Sequence, residues 1–253
     1  MKTGGQNREA PVRKANVSLA RALSKVGYCS RSKAFDLIRE GRVRLNGAFV
    51  RDPETRLDMN LDLLEVDGQN LAAAEKIYIM LNKPRGVLAT AADEKGRETV
   101  YGCLAGGNFP WLSPVGRLDK ASEGLLLFTN DNRWAAAILD PQTHLEKTYH
   151  VQIDRIADES LLKNIEEGLA SEGGGFLSAK SAAVLRRGMK NCWLEIILEE
   201  GKNRHIRRLL TAFGIEVLRI VRVAIGPLKL GNLGKGAYRH LAPGEIDSLK
   251  LSK

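Results

Sequence analysis

The chain has 253 residues, 43% of them hydrophobic and 27% charged, and its 39 Lys and Arg residues outnumber 30 Asp and Glu residues to give a formal net charge of +9. This composition excludes a disordered, fibrous or collagen-like chain, and the length suits one large domain or two smaller ones with a core that needs no disulfides. No apolar run approaches the ~18 residues that span a bilayer, so we expect no membrane partner.

Cysteine and histidine usage argues against metal or disulfide chemistry. Cys29, Cys103 and Cys192 are scattered with no CxxC pair, and the four histidines lack the spacing of metal ligands. We therefore expect no metal, no cofactor and a reducing, cytoplasmic compartment. Residues 1–16 contain four Lys or Arg residues with no apolar stretch after them, which is not typical of a secretory signal. We interpret this segment as a flexible basic arm.

The positive charge is concentrated in two stretches, residues 17–50 and 202–222, each with a net charge of +5. Excess charge of this kind concerns partners more than fold, and two basic stretches on an otherwise near-neutral chain favour a polyanion bound at two places. The simpler alternative for either stretch alone is a solvated helix face.

The first basic stretch has a clear local pattern. Ser18 and Ser30 are placed to cap two short helices over 19–26 and 31–40, which end near Gly27 and Gly41. A hairpin then turns at Asn46-Gly47, and a last strand covers 61–66. Two helices followed by a hairpin predict a compact unit, and the polar, alanine-rich residues 69–76 predict a linker after it.

This stretch resembles the S4-like RNA-binding domain over nearly all of residues 17–64. The segments that carry the resemblance are 20–34, ARALSKVGYCSRSKA, and 38–47, IREGRVRLNG. The resemblance implies a small phosphate-binding surface that positions RNA, reads little sequence and weakens with salt. The residues expected to form it are Arg21, Lys25, Arg31, Lys33, Arg42 and Arg44.

From residue 77 onward, predicted strands outnumber helices. The pattern predicts helices over 134–139, 158–168 and 203–213, and strands over 78–81, 124–129, 147–153, 193–199 and 216–223. Strands and helices do not alternate strictly, which favours an α+β fold with a mainly antiparallel mixed sheet. We expect three parts: the arm 1–16, an N-terminal domain with its linker over 17–76, and a larger domain over 77–253.

The segment 114–131, PVGRLDKASEGLLLFTND, places Asp119 in a short charged loop before a buried strand. The flanking cations Arg117 and Lys120 favour the ionised carboxylate, which a nucleophile or general base requires. On these facts alone, a loop aspartate in a surface salt bridge is the simpler interpretation.

The same segment resembles the Gly-Arg-Leu-Asp motif of the RsuA/RluB-type family of ribosomal RNA pseudouridine synthases. Three more segments agree in the family's order, so that the resemblance covers roughly 17–245: LNKPRG at 81–86, EKTY at 146–149 and EGKNRHIRRLL at 200–210. Two departures put substrate details in doubt: Ala121 replaces a residue that is usually polar, and Trp111-Leu112-Ser113 is atypical.

The resemblance implies the roles of the site residues. Asp119 is the catalytic carboxylate, Tyr149 stacks on the target uracil, and Arg207 pairs with Asp119, with Arg208 as a second candidate for that pairing. Further RNA contacts are expected from Arg117, Lys202, Arg204 and Arg208, and a base pocket from Leu126 and Leu209, although core packing explains these two leucines equally well.

The implied activity is an isomerase reaction that converts a uridine of ribosomal RNA to pseudouridine in an everted nucleotide. It cleaves C1′–N1, turns the uracil and joins C5 to C1′, with no cofactor or metal. Whether Asp119 attacks C1′ or C6, or sets up a glycal, stays open, as does the choice between 16S and 23S rRNA. A monomer is the default. The alternatives are a non-catalytic rRNA-binding assembly factor and, less favoured, a glycosidic hydrolase, since no second carboxylate is marked as a partner.

Overall fold

The computed structural model describes residues 17–72, 74–91, 93, 95–170 and 175–250. The predicted arm 1–16 lies outside these residues. The described residues form two compact units that divide between Glu75 and Lys76. Each unit has its own core.

The N-terminal unit begins with two short helices. Its elements are β1 (Val17–Ser18), α1 (Leu19–Lys25), α2 (Arg31–Arg39), β2 (Val43–Leu45), β3 (Ala48–Phe49), β4 (Arg56–Leu57), β5 (Leu64–Val66) and β6 (Gln69–Asn70). The Ser30 side chain accepts a hydrogen bond from the Lys33 amide at 3.1 Å, as its N-cap position predicts. Ser18 also precedes a helix, but its side chain makes no such bond, because its backbone is instead paired with β4.

Two tight hairpins shape the rest of this unit. Asn46 and Gly47 have φ values of 53° and 81°, and Asp67 and Gly68 have 51° and 79°, so each pair adopts the left-handed conformations that a two-residue hairpin requires. The second hairpin makes Gln69–Asn70 a strand, β6, rather than the beginning of the predicted linker.

Among the described residues, the second unit contains one large mixed sheet and a separate two-stranded sheet. Its strands are β7 (Tyr78–Lys83), β8 (Ser113–Val115), β9 (Ser122–Thr129), β10 (Lys147–Ile153), β11 (Leu169–Ala170), β12 (Phe176–Leu177), β13 (Ser181–Arg187), β14 (Cys192–Leu198), β15 (Val217–Ile225), β16 (Leu228–Lys229) and β17 (Tyr238–His240). Its helices are α3 (Asn132–Leu139), α4 (Glu159–Glu167), α5 (His205–Ala212) and α6 (Pro243–Ser248), with short 3₁₀ turns at Gly102–Leu104 and Pro141–Thr143.

In the described residues, the main sheet has the order β13-β14-β10-β15-β9-β7-β17, with β16 beside β15 and β8 beside β9. All its pairings are antiparallel except that between β9 and β15, which run in the same direction. This confirms the α+β class and the mainly antiparallel mixed sheet. β13 was not predicted, because its small and basic residues lie largely exposed on an edge strand.

Gly124 occupies the parallel contact between β9 and β15. Its φ is +102°, and a Cβ there would lie 2.2 Å from the carbonyl oxygen of Arg222. Only glycine allows both this conformation and this approach. The close packing sets the position of β15 behind the loop that carries Asp119.

Helices pack on both sides of the sheet. One cluster joins β10, β14 and β15 to α4 and α5, and another packs α3 and α6 against β7 and β9. Helix α3 begins at Asn132, two residues earlier than predicted, because the Asp131 carboxylate accepts from the amides of Arg133 and Trp134. Across the described ranges, no helix combines the length and apolar character needed to cross a bilayer.

Candidate active site

A cleft of about 560 Å³ opens in the second unit and brings the three predicted catalytic residues together. Asp119 enters it from the loop before β9, Tyr149 from the middle of β10, and Arg207 from the first turn of α5. The motifs are separated along the chain, so their convergence depends on the order of strands in the sheet.

Lys83 holds the loop that carries Asp119. This lysine ends β7 and is fully buried, and its ammonium donates to three carbonyl oxygens, those of Pro84 at 3.0 Å, Asp119 at 3.2 Å and Ser122 at 2.9 Å. The Ser122 amide also donates to the Asp119 carbonyl at 2.9 Å. The loop backbone is therefore fixed from Asp119 to Ser122.

Burial lowers the pKa of Lys83 from its usual 10.5 to about 8, and the nearby Cys103, Glu123 and Asp119 partly oppose this effect. The ammonium form still predominates at neutral pH. A charged donor makes stronger hydrogen bonds to carbonyls than a neutral amine does, so protonation of Lys83 favours the observed loop conformation.

Arg207 differs from the prediction that it pairs with Asp119. Its guanidinium donates to the carbonyl oxygens of Val217 at 3.1 Å and Ala121 at 3.3 Å, and among the described residues no ion pair within 4.0 Å joins it to Asp119. Two backbone carbonyls at the starts of β15 and β9 hold the donors of the guanidinium. Because the contact to Ala121 uses only its backbone, the unusual side chain there does not disturb it.

The charges around Arg207 still link it to Asp119. Burial is the main cause that lowers the pKa of Arg207, the positive charges of Arg204 and Arg85 lower it further, and Asp119 raises it. Arg207 and Asp119 thus interact across the cleft without a direct contact, and Arg207 places a positive charge near Asp119.

Tyr149 is half-buried and lies opposite Ile196 of β14 and Arg222 of β15 in the strand register. Its ring packs against two apolar clusters while it lines the cleft. This position leaves an aromatic surface available to a planar base.

Leu126 and Leu209, the predicted base pocket, are not among the residues that line the cleft. Both side chains are fully buried in the cores on either side, because β9 is covered on both faces and Leu209 points from α5 into the sheet. The apolar lining comes instead from residues adjacent to the polar ones: Leu118, Tyr149, Leu198, Ile206 and Ile220.

Three predicted RNA-binding cations of this unit, Arg117, Lys202 and Arg204, line the cleft, whereas Arg208 does not. The ammonium of Lys202 donates to the Phe176 carbonyl at 2.7 Å and pairs with Glu200, so its position is defined. Arg204 precedes α5 with a φ of +49°, an unfavourable conformation for a residue with a side chain. The rim of the cleft is thus basic.

The predicted RNA-binding cations of the N-terminal unit differ in solvent exposure and in ion pairing. Arg21, Arg31 and Lys33 are exposed, and Lys25 and Arg44 are half-buried. Arg42 instead forms a two-point contact with Asp67 and a further pair with Glu40, which compensates its charge within the unit.

One aromatic residue of this unit was not predicted as functional. The Arg44 guanidinium lies 4.2 Å from the ring centroid of Phe49, and this ring is 62% exposed. An exposed aromatic beside a cation is a surface on which an unpaired base stacks. The hairpin pattern indicated a half-exposed strand but not that a phenylalanine would occupy the exposed position.

Sequence reasoning also missed three cations of the cleft region: Lys83, Lys147 and Arg222. The first two lie inside segments quoted for the family resemblance, and the third inside the second basic stretch. No sequence signal marks their burial, since it depends on how the strands pair. Among the described residues no cluster of three or more His, Cys, Asp or Glu side chains is placed to hold a metal ion.

Comparisons with known proteins agree with the fold. The family described as RNA pseudouridylate synthase matches residues 77–212, and the S4 domain family matches residues 17–63. The chain belongs to the RNA pseudouridine synthase family and carries an S4 RNA-binding domain at its N-terminal side.

Particular relatives match along nearly the whole chain. An uncharacterized RNA pseudouridine synthase of Aquifex aeolicus is 39% identical over 235 residues, 92% of this chain and 93% of that protein. The ribosomal large subunit pseudouridine synthase B of Bacillus subtilis is 35% identical over 234 residues, 92% of this chain and 95% of its own length. A crystal structure of a pseudouridylate synthase is 28% identical, with a TM-score of 0.65, over 92% of this chain and all of the other.

Proposed function

We propose that this protein converts a uridine of ribosomal RNA, in the large subunit, to pseudouridine with Asp119 as the catalytic carboxylate. The observation that carries the proposal is the cleft in which Asp119, Tyr149 and Arg207 meet, with Asp119 on a loop that Lys83 fixes. The large-subunit substrate is supported by the name of the Bacillus subtilis relative.

The geometry suits an everted uridine. The basic rim formed by Arg117 and Arg204 attracts the phosphates, and the half-buried ring of Tyr149 offers a stacking surface inside the cleft. Eversion costs a few kcal/mol, which these contacts offset. Exposed cations of the S4 domain, such as Arg31 and Lys33, add sequence-tolerant contacts to flanking RNA.

The reaction is an isomerisation that needs only proton and carbon transfers. C1′–N1 breaks, the base turns, and C5 joins C1′ while the proton of C5 is lost and N1 gains one. Attack at C1′, attack at C6 and removal of the C2′ proton all require an ionised carboxylate. Arg207 and Lys83 place positive charge next to the Asp119 carboxylate.

The direct test compares the wild type with Asp119→Asn on rRNA from cells that lack the protein. We expect the conversion rate to fall by at least about 10²–10⁴-fold, the range for loss of a positioned acid or base. Asp247→Asn is the matched control, since Asp247 lies on the surface and pairs with Lys250. Equal conversion by wild type and Asp119→Asn would remove Asp119 from the mechanism.

The substrate is tested by mapping pseudouridine across both ribosomal RNAs in the deletion strain. We expect one or more large-subunit sites to lose pseudouridine and to regain it when the wild-type protein is restored. Tight rRNA binding with no uridine modified under any condition would instead favour a non-catalytic assembly factor.

A further inference from the structure

Arg222 lies in the floor of the cleft with part of its hydrogen-bonding capacity unused. Its side chain is 6% exposed and lines the cleft, and its Nε donates to the Leu125 carbonyl at 2.8 Å. Its Nη2 is buried and has no hydrogen-bond partner among the described residues. Leaving a buried charged donor unpaired destabilises a native structure, so such a group in a site calls for a functional explanation.

Lys147 is a second cation beside Arg222. It lines the cleft, is half-buried, and its ammonium makes one long contact of 3.5 Å with the Glu199 carbonyl. Burial lowers the pKa of Lys147, and the positive charge of Arg222 lowers it further. Across the described ranges, neither side chain has a carboxylate within 4.0 Å. The pair therefore forms a cationic subsite in which neither cation has a direct ion-pair partner.

The position of this subsite selects the part of the nucleotide that reaches it. Arg222 pairs in register with Tyr149 on one side and with Gly124 on the other. It therefore lies in the sheet beside the residue that we propose to stack on the uracil. An everted nucleotide enters base first, and phosphates stay near the solvated rim because their desolvation is costly. The group that faces the floor is then an edge of the base.

We propose that Arg222, with Lys147, binds the carbonyl oxygens of the target uracil and stabilises the negative charge that forms there when the base detaches. The inference rests on the proposed function of the Asp119 site. On heterolysis of C1′–N1 the bonding pair goes to the base, and the resulting uracilate spreads its charge over N1, O2 and O4. C1′ is satisfied either by a bond to the Asp119 carboxylate or by loss of the C2′ proton to it.

The later step restores neutrality without an outside reactant. C5 bonds to C1′ as the bond to Asp119 breaks or as the glycal regains its C2′ proton. C5 then loses its own proton and N1 gains one. Fixed cations that face the developing charge lower the barrier, because they need no reorganisation at the moment of bond cleavage.

The first test measures single-turnover rates at saturating enzyme, and RNA dissociation constants, for Arg222→Gln and Lys147→Gln. For Arg222→Gln we expect a rate about 10²–10³-fold lower with the dissociation constant within about twofold, the size of effect seen when a preorganised donor is removed. Lys147→Gln should lose about tenfold by the same mechanism. Arg222→Lys should recover part of the rate, and Arg186→Gln, which removes an exposed charge of β13, should keep it.

The second test changes the leaving group. Fluorine at C5 of the target uridine stabilises the departing anion, so the ratio of wild-type to Arg222→Gln rates should shrink when 5-fluorouridine replaces uridine. The readout is disappearance of the starting nucleoside in digests. An unchanged ratio would overturn the proposal. A larger RNA dissociation constant with an unchanged saturated rate would also overturn it, because that result would identify a phosphate-binding site.

The outcomes separate this inference from the proposed function. If Asp119→Asn is inactive while folded Arg222→Gln and Lys147→Gln turn over at the wild-type rate, only the cationic subsite is refuted. If Asp119→Asn is fully active, the proposed function itself fails. If Arg222→Gln does not fold, the test uses Lys147→Gln instead. The proposal then requires that Lys147→Gln has a lower saturated rate than the wild type, and that this reduction is smaller when 5-fluorouridine replaces uridine.

Discussion

The cations of the S4 domain and those of the cleft carry the same formal charge in opposite surroundings. Arg31 and Lys33 lie exposed at the start of α2, whereas Lys83 is fully buried and burial lowers its pKa to about 8. At an ionic strength of about 0.1 M, salt largely screens the interactions of exposed charges beyond about 10 Å, but it screens those of buried charges much less. The exposed cations of the S4 domain are therefore suited to a sequence-tolerant attraction to the RNA backbone. The buried cations of the cleft are suited to contacts with particular atoms.

The largest effect is expected where a buried cation is removed. Lys83→Met leaves the carbonyls of Pro84, Asp119 and Ser122 without their shared donor, so the Asp119 loop shifts, and a displacement of about 1 Å costs about 10²-fold in rate. Single-turnover assays measure the loss, and Lys229→Met, an exposed change on β16, is the control. A wild-type rate in folded Lys83→Met would show that the loop needs no such tether.

Removing residues 1–75 tests whether the two units are independent domains, as we propose. We expect residues 76–253 to fold, since their core is separate, and to bind rRNA about 10–100-fold more weakly because the linked second contact is lost. Circular dichroism and binding titrations measure the two properties. An insoluble fragment would show that the two-domain division is wrong.

Gly124→Ala is expected to destabilise the cleft unit by about 1–3 kcal/mol, the cost of a strained backbone conformation, with the clash against the Arg222 carbonyl added. Urea unfolding measures the change in the free energy of unfolding. Gly234→Ala is a suitable control, because its φ is not in the left-handed region and its nearest atom lies 3.9 Å away. Equal stability of both variants would contradict the tight contact between β9 and β15.

The pH dependence of Lys83 separates activity from stability. Because its pKa in the folded state, about 8, lies below the ordinary 10.5, the unfolded chain binds more protons between these values, and the contribution of Lys83 to the free energy of unfolding rises with pH across that window. Activity should fall over the same window, about tenfold per pH unit once the ammonium is lost. Rate profiles and urea unfolding of wild type and Lys83→Met test this; parallel curves for both proteins would refute it.

The smallest effect is expected at the exposed cations. Arg31→Ala or Lys33→Ala should weaken RNA binding a few-fold, reduce the slope of log affinity against log salt by about one, and leave the saturated rate unchanged. Lys163→Ala, which removes an exposed cation of α4 paired with Glu167, is the control. A lower saturated rate with an unchanged salt slope would show that these residues contribute to the chemical step rather than to RNA binding.

Local features of this fold were predictable where one or two residues determine the backbone. Asn46-Gly47 predicts its hairpin because both residues accept positive φ, and Ser30 predicts a helix start because its hydroxyl can cap the first turn. Motif order likewise predicted that Asp119, Tyr149 and Arg207 would meet, although not that two backbone carbonyls would hold Arg207.

Features that depend on strand register were not predictable. Lys83 reaches the Asp119 carbonyl across 36 positions, and Arg222 meets Gly124 only because β9 and β15 are parallel neighbours. The choice between pocket and core for Leu126 could not be made from sequence for the same reason, since burial on both faces of β9 depends on what covers each face. Such contacts are properties of the assembled sheet rather than of a segment.

The parallel pairing of β9 with β15 also has a consequence for synthesis of the chain. Arg207 bridges the starts of these strands through Ala121 and Val217, which lie 96 positions apart. A nascent or truncated polypeptide that stops before residue 217 possesses Asp119 and Tyr149 but lacks the second carbonyl of the Arg207 bridge between β9 and β15. We therefore expect a chain cut short at that point to have no activity.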